Sequence, residues 1–275
     1  MQLMSNYELQ HGYDTVNLWR SEGVGKIELA RPDSLNSWGA SLSADLWSAF
    51  ETVRDDEGIR AVVVTGAGRA FCSGADLKEE NDPFADEHGR PDLERKLHAS
   101  YHPVLTGLRR LPKPVLAAVN GPAVGVGVSL ALSADLVYAR QSAYFLLAFV
   151  NIGLVPDGGA SALLCARVGF TRACELAMLG ERLPAERALD WGMINGVFSD
   201  DEFEPAIDAL AHRLAAGPTR SYAGSKAQLN AWAFKEHDNQ LALEAALQKE
   251  MSESADFMEG VLAFIEKRSA NFSGR

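Results

Sequence analysis

Hydrophobic positions change period along the chain, and each change marks an element. Residues 23–31 (GVGKIELAR) read as a strand, with Val24 and Ile27 to Leu29 leading into Pro32. Leu42, Leu46, Phe50 and Val53 then recur at helical spacing, which predicts a helix over 43–54. Residues 61–65 (AVVVT) are a short β-branched run closed by Gly66, the pattern of a strand buried on both faces. Residues 81–92 (NDPFADEHGRPD) are charged and carry Pro and Gly, so a mobile loop is expected there. A helical pattern over 93–110 stops before Pro112, and PVLAAV (114–119) predicts a second buried strand. A helix over 127–133 follows a glycine-rich turn, and short strands follow at 136–139 and 143–146. Beyond these the pattern is helical, at 160–168, 172–179, 185–191, 203–215, 219–234, 239–253 and 258–268.

Strands alternate with helices to about Val197 and then stop. This predicts an α/β core followed by a helical tail, with domains 1–200 and 201–275. In the tail, Leu241, Ala245 and Leu247 are expected to face one way and Glu244, Gln248 and Lys249 elsewhere. Such a helix packs on its own core or on a neighbouring subunit. No short repeat or low-complexity stretch interrupts the 275 residues.

Charge narrows the partners. The formal net charge is −11, from 37 acidic and 26 basic residues. That balance argues against nucleic acid and against an anionic membrane surface, since both need a basic face. A small polyanion held by a few local Lys or Arg remains compatible. The three cysteines, Cys72, Cys165 and Cys174, form no CxxC pair, which predicts reduced thiols and a cytoplasmic location. Residues 1–14 lack a basic segment followed by an apolar core, so no secretory signal is expected. The apolar run 123–132 is too short to cross a bilayer.

Two strand-to-glycine transitions carry candidate chemistry: TGAGRAFCSGADL (65–77) and NGPAVGVGVSLALSAD (120–135). Small residues there let backbone approach a ligand, and the second opens a helix whose first N–H groups lack partners. The spacing is not GxGxxG and no acidic residue follows at the dinucleotide-binding distance. Tight helix–strand packing explains either segment taken alone.

Taken with RPDSLNS (31–37), IGLVPDGG (152–159) and GVLAFIEKR (260–268), these segments resemble the enoyl-CoA hydratase/isomerase (crotonase) family in order and spacing. The resemblance covers about residues 16–275. It implies an α/β crotonase-like ββα spiral core with a C-terminal helical region, assembling as homotrimers or dimers of trimers. It also implies an acyl-CoA thioester as ligand, with no metal and no cofactor beyond the CoA moiety. The shared chemistry is an enolate at the thioester carbonyl, held by two backbone N–H donors. By motif position these belong to Ala75 and Val126. The resemblance places CoA against Ser34, Leu35, Ala75, Asp76 and Leu77, with Phe264 and Lys267 approaching from the C-terminal helix. Lys267 equally reads as a solvated lysine suited to a helix end.

The family's hydratases use two glutamates, and the matching positions here are Ser129 and Phe149. Neither exchanges protons as a carboxylate does, whereas hydration needs one group for water and one for the α-proton. One carboxylate remains, Asp157 in VPDGG. That segment resembles the isomerase branch, which includes the rearrangement of ring-epoxide phenylacetyl-CoA and in which the matching aspartate shuttles the proton. A 1,3-proton shift needs only one base. Phe145, Leu147, Phe149 and Ser129 are expected to line an apolar pocket that raises the pKa of Asp157. Asp157 is equally a turn residue and N-cap for the helix at 160–168. A hydratase, or an acyl-CoA binder without catalysis, stands as the alternative. Asp76 reads as structural or CoA-adjacent, Asp135 as a structurally paired residue ending the helix at 127–133, His98 and His102 as an ordinary helix face, and Cys72 as a small buried residue.

Overall fold

The computed structural model describes residues 7–79, 83–85 and 91–275, so most of the loop expected at 81–92 lies outside the described residues. The chain opens with an antiparallel meander, β1 (Glu8–Gly12), β2 (Val16–Ser21) and β3 (Val24–Leu29). Then follow α1 (Ala40–Asp55), β4 (Ala61–Gly66), α2 (Leu93–Lys96), a π-helical turn Leu97–Tyr101, and α3 (His102–Arg110). Next come β5 (Val115–Val119), β6 (Ala123–Val124), α4 (Val126–Leu132), β7 (Leu136–Arg140) and β8 (Tyr144–Leu146). The remainder is α5 (Ala160–Leu179), β9 (Leu183–Pro184), α6 (Ala185–Asp190), β10 (Gly196–Phe198), α7 (Phe203–Ala216), α8 (Thr219–Ala233), α9 (His237–Ser252) and α10 (Ala255–Glu266). Strands β1 and β2 are absent from the sequence-based expectation. β1 is exposed along its whole length, so it lacks the apolar run that marks β4 and β5.

The main sheet has the order β1-β2-β3-β4-β5-β7-β10, parallel from β3 onwards, and β6-β8-β9 form a small second sheet. Alternate residues of β4 and β5 serve opposite faces, as strand geometry requires. Val62, Val64, Val115 and Ala117 join the large core beneath α1, α3 and α4. Ala61, Val63, Leu116 and Ala118 meet Phe203, Ile207, Ala211 and Ala215 of α7. Both faces are covered, so these strands are continuously apolar. The sequence-predicted helices at 160–168 and 172–179 form the single element α5, bent at Gly169, where φ is +75°.

A buried ionic tie fastens α8 to the sheet. Lys226 Nζ donates to Asp135 Oδ2 at 2.8 Å and to the carbonyls of Leu108 and Lys113, and Asp135 also accepts the Val115 N–H at 2.8 Å. Burial pulls the Lys226 ammonium below its usual value and Asp135 opposes that pull. Removing one partner of a buried pair leaves the other uncompensated. Lys226→Met is therefore expected to lose about 2–4 kcal/mol of unfolding free energy, checked by urea denaturation beside wild type.

Candidate active site

Two backbones meet where the glycine segments end. Val124 N–H donates to the Cys72 carbonyl at 2.9 Å, pairing the segments side by side. Gly74 (φ +94°) and Gly125 (φ +54°) then lie face to face, and a Cβ on Gly74 would sit 3.9 Å from Gly125 Cα and 3.0 Å from the Val124 carbonyl oxygen. A side chain at Gly127 would collide with the Cys72 carbonyl. Glycine is needed at Gly74 and Gly125 because L side chains rarely adopt those φ values.

The residues that follow these glycines carry free amides. Trp38 N–H donates to the Gly74 carbonyl at 2.8 Å and Asp76 N–H to the Trp38 carbonyl at 3.2 Å. In that parallel bridge the peptide groups of Gly74 and Asp76 turn toward Trp38, so the Ala75 amide turns the other way. Val126 is the first residue of α4, where an N–H has no intrahelical partner. Among the described residues neither amide has a protein acceptor. Ala75 is exposed and Val126 buried, so the pair spans a boundary between solvent and core.

One turn along α4 from Val126, Ser129 Oγ donates to the Asp157 carbonyl at 2.7 Å. The Phe149 ring lies 3.8 Å from where a Cβ on Gly125 would stand. Thus Ser129 and Phe149 both border the glycine turn and its helix. Leu105 of α3 packs against Gly158. Asp157 itself is 5% exposed. Its Oδ2 accepts from Gln248 Nε2 at 2.7 Å, while Oδ1 is buried and has no partner among the described residues. Burial pushes the carboxyl up to about 7; the nearby Glu244 adds to that rise and the Gln248 hydrogen bond opposes it.

The expected N-cap role of Asp157 is not what its side chain does. Helix α5 has no side-chain cap from the preceding loop. Glu244 of α9 serves instead, accepting the N–H groups of Gly159 at 2.7 Å and Ser161 at 3.0 Å, and the Ser161 hydroxyl. A carboxylate at a helix N-terminus also complements the helix dipole. The expected face of α9 is corrected with it. Leu241, Glu244, Ala245 and Gln248 are buried, while Leu247 is 36% exposed. Three-and-four spacing was present, but its polar members point inward because each has a buried partner about ninety residues upstream. Glu244 and Gln248 are the site residues that sequence reasoning missed. The available signal was that they share the helical stripe of Leu241 and Ala245.

The remaining predicted residues fall in three places. Ser34 ends a short 3₁₀ turn and Leu35 follows at φ +55°; their carbonyls accept from Ser73 Oγ and Ser73 N–H, fixing them beside the Ala75 segment. Asp76 accepts from Arg31 at 2.9 Å and from Ser37 Oγ at 3.0 Å, pairing that holds its carboxyl below the usual range against the cost of burial. Leu77 lies beside it, half-buried. Phe145 and Leu147 are fully buried around β8, whereas Phe264 is exposed on α10 and Lys267 ends that helix at φ +56°. Structure thus brings Ser34, Leu35, Ala75 and Asp76 together, and Val126, Ser129, Phe149 and Asp157 together. Phe264 and Lys267 are exposed at the end of α10. Cys72 is fully buried, with its thiol pushed up to about 12. No group of three or more potential metal ligands occurs among the described residues.

Open cavities occur elsewhere. One of about 410 Å³ lies between α1 and the π-helical turn, lined by Ala40, Ser43, Trp47, Phe84 and Val104 among others. It includes neither free amide nor Asp157, so its size says nothing about the chemistry.

A largely parallel α/β sheet thus carries two backbone amides without protein acceptors among the described residues and, hydrogen-bonded to α4 through its loop, a carboxylate removed from water. Residues 20–275 match the family "Enoyl-CoA hydratase/isomerase", and the chain belongs to it. It is 44% identical over 263 residues to "Probable enoyl-CoA hydratase" of Rhodobacter capsulatus, covering 96% of this chain and 99% of that protein. It is 42% identical over 255 residues to 1,2-epoxyphenylacetyl-CoA isomerase of Escherichia coli, covering 92% and 96%. The crystal structure of an enoyl-CoA hydratase from Mycobacterium avium subsp. paratuberculosis superposes with a TM-score of 0.85 at 39% identity, covering 95% of this chain and all of that one. The crotonase-like α/β fold is that of these neighbours. Among the described residues no helix is long and apolar enough to cross a membrane.

The raised carboxyl has a consequence for stability. Between its ordinary 3.8 and about 7, folded Asp157 keeps a proton that the unfolded chain has released. This group's contribution therefore falls as pH rises through that window and stays unfavourable above it. Asp157→Asn is expected to be more stable than wild type at pH 8, by at most about 4 kcal/mol, with the difference vanishing near pH 4. Paired denaturation curves across that range measure it.

Proposed function

We propose that the protein shifts a carbon–carbon double bond of an acyl-CoA thioester, with Asp157 carrying the proton. The thioester oxygen accepts from the Ala75 and Val126 amides. Asp157 Oδ1 takes a proton from the α-carbon, and the electron pair passes onto the thioester oxygen as a dienolate. The same carboxyl returns the proton at the γ-carbon, which moves the double bond into conjugation. Preorganised donors of this kind lower such barriers by about 3–4 kcal/mol each. The observation that carries the reading is Asp157 itself: buried, one oxygen held and the other unpartnered, and near pH 7 in its proton affinity. A general base works best near the operating pH.

Ser129 and Phe149, at the positions of the hydratase glutamates, favour isomerisation over hydration. The name of the E. coli relative describes an isomerase, as does that of a trans-2-decenoyl-[acyl-carrier-protein] isomerase of Streptococcus mutans, 33% identical over 253 residues. The R. capsulatus relative's name describes hydration, so a hydratase stands as second reading. CoA is assigned to Ser34, Leu35, Ala75, Asp76, Leu77, Phe264 and Lys267, and the acyl group to Phe145, Leu147, Phe149 and Ser129. No metal takes part in this scheme.

With 3-hexenoyl-CoA in heavy water, the expected result is conjugated product with deuterium at the α and γ carbons. Asp157→Asn should lose at least about a hundredfold in rate and keep its thioester affinity. Accumulated hydroxyacyl-CoA would transfer the assignment to the hydratase; tight binding without exchange would make the protein a carrier.

We also propose that residues 201–275 assemble the chain into trimers, singly or as pairs. Support comes from large apolar side chains exposed on α8, α9 and α10, with Trp232 87% exposed and Leu229 70% exposed. Large apolar side chains left exposed in such number on neighbouring segments of the chain suit an association surface. Trp232→Lys is expected to lower the sedimentation mass relative to wild type.

A further inference from the structure

The buried polar face of α9 has a use beyond packing. We infer that Gln248 is the positioning residue of the proton carrier, so that α9 of the helical tail is a working part of the site; this rests on the reading of Asp157 given above. Gln248 is 1% exposed. Its amide donates to Asp157 Oδ2 at 2.7 Å and its carbonyl accepts the Val155 N–H at 3.4 Å. The side chain thus spans the loop from Val155 to Asp157. It is the single hydrogen-bond partner of the Asp157 carboxylate among the described residues.

That one bond divides the carboxylate's labour. Oδ2 is occupied, which leaves Oδ1 as the oxygen without a partner among the described residues, and the bond fixes the rotation of the carboxylate. A carboxylate free to rotate would present either oxygen, and misplacement of a base by about 1 Å costs about a hundredfold in rate. Glu244, one turn earlier on α9, holds the next residues of the same loop, Gly159 and Ser161. Gln248 and Glu244 therefore clamp residues 155–161 from one helix face at i, i+4 spacing.

The groups facing Asp157 decide how its titration responds. From α9 come Glu244, which raises its proton affinity, and Gln248, which lowers it. His237 opens α9 against Gly159, and His102 on α3 lies near it. Burial holds both imidazoles down at about 4, so both are neutral across the working range. Arg109, Arg110 and Asp238 act on His237 from behind.

The test uses the full chain with 3-hexenoyl-CoA in heavy water, following deuterium incorporation from pH 5 to 9. Gln248→Met keeps the length and removes the donor. It should lower kcat by about tenfold to a hundredfold with KM little changed. It should also move the midpoint of the ascending limb of kcat up by about one pH unit. Gln248→Glu conserves the shape and should move that midpoint in the same direction, because its second ionisation opposes that of Asp157. A folded Gln248→Met with the wild-type midpoint and rate overturns the proposal; if it does not fold, Gln248→Glu decides by the same midpoint. If neither folds, Gln248 is a packing residue and the proposal falls. Asp157→Asn separates the two claims. Undiminished exchange in that variant removes Asp157 from the mechanism and Gln248 with it. Lost exchange there, beside an unmoved midpoint in the Gln248 variants, removes Gln248 alone.

Discussion

The close approach of the Gly74 and Gly125 backbones is the constraint on which the site depends. It requires two chain segments with no side chains at the crossing and with φ values that glycine alone adopts readily. Parallel neighbours β4 and β5 bring the segments to neighbouring positions, since each segment leaves the C-terminal end of its strand on the same side of the sheet. Once the backbones touch, α4 must begin at Val126, and its first amide is free because a helix cannot satisfy its own N-terminus. Ser129 follows one turn later and fastens the Asp157 loop. Sheet, turn, helix and acid thus form one chain of geometric consequences.

Stability is traded against chemistry at the end of that chain. A carboxylate fully removed from water is costly unless hydrogen-bonded on both oxygens, yet Asp157 has one oxygen unpartnered. The chain meets this by keeping the acid protonated more readily, and by placing a neutral amide on the other oxygen where a cation would have locked the carboxylate ionised. The contrast with Asp76 is instructive. That acid is paired with Arg31, held ionised, and kept out of proton transfer by the same physics. Two aspartates adjoining the two glycine segments are driven to opposite proton affinities by their partners.

Much of this was legible in the sequence. AVVVT and PVLAAV announced buried strands because both faces of the sheet are covered, and Gly125 announced the turn before α4. Ser129, Phe149 and Asp157 were expected from position within motifs; Ser129 is hydrogen-bonded to the Asp157 carbonyl and Phe149 lies against Gly125. Strands β1 and β2 were not legible as a pair, since β1 is solvated and carries no core pattern. The inward turn of Glu244 and Gln248 was not legible either. Polar side chains default to water unless a partner waits inside, and these partners lie 85 and 91 residues away in sequence. The cap expected of Asp157 failed for the same reason: a local rule was overridden by a long-range carboxylate.

The placement of that partner helix packs the tail closely onto the α/β core. Helix α7 covers one face of the sheet, α8 is fastened by Lys226 to Asp135, and α9 reaches the loop of Asp157. A tail serving only assembly would need apolar contacts with the core, such as Leu241 and Ala245 supply. It would not need to bury a glutamate at 3% exposure and a glutamine at 1% exposure, each aimed at the segment that carries the acid. Buried polar groups are expensive, and a fully apolar stripe on α9 would pack at lower cost. Each has a partner inside, since Glu244 caps α5 and Gln248 holds Asp157 Oδ2, so the polar positions of this stripe tie the Asp157 loop of the core to the packing of the tail.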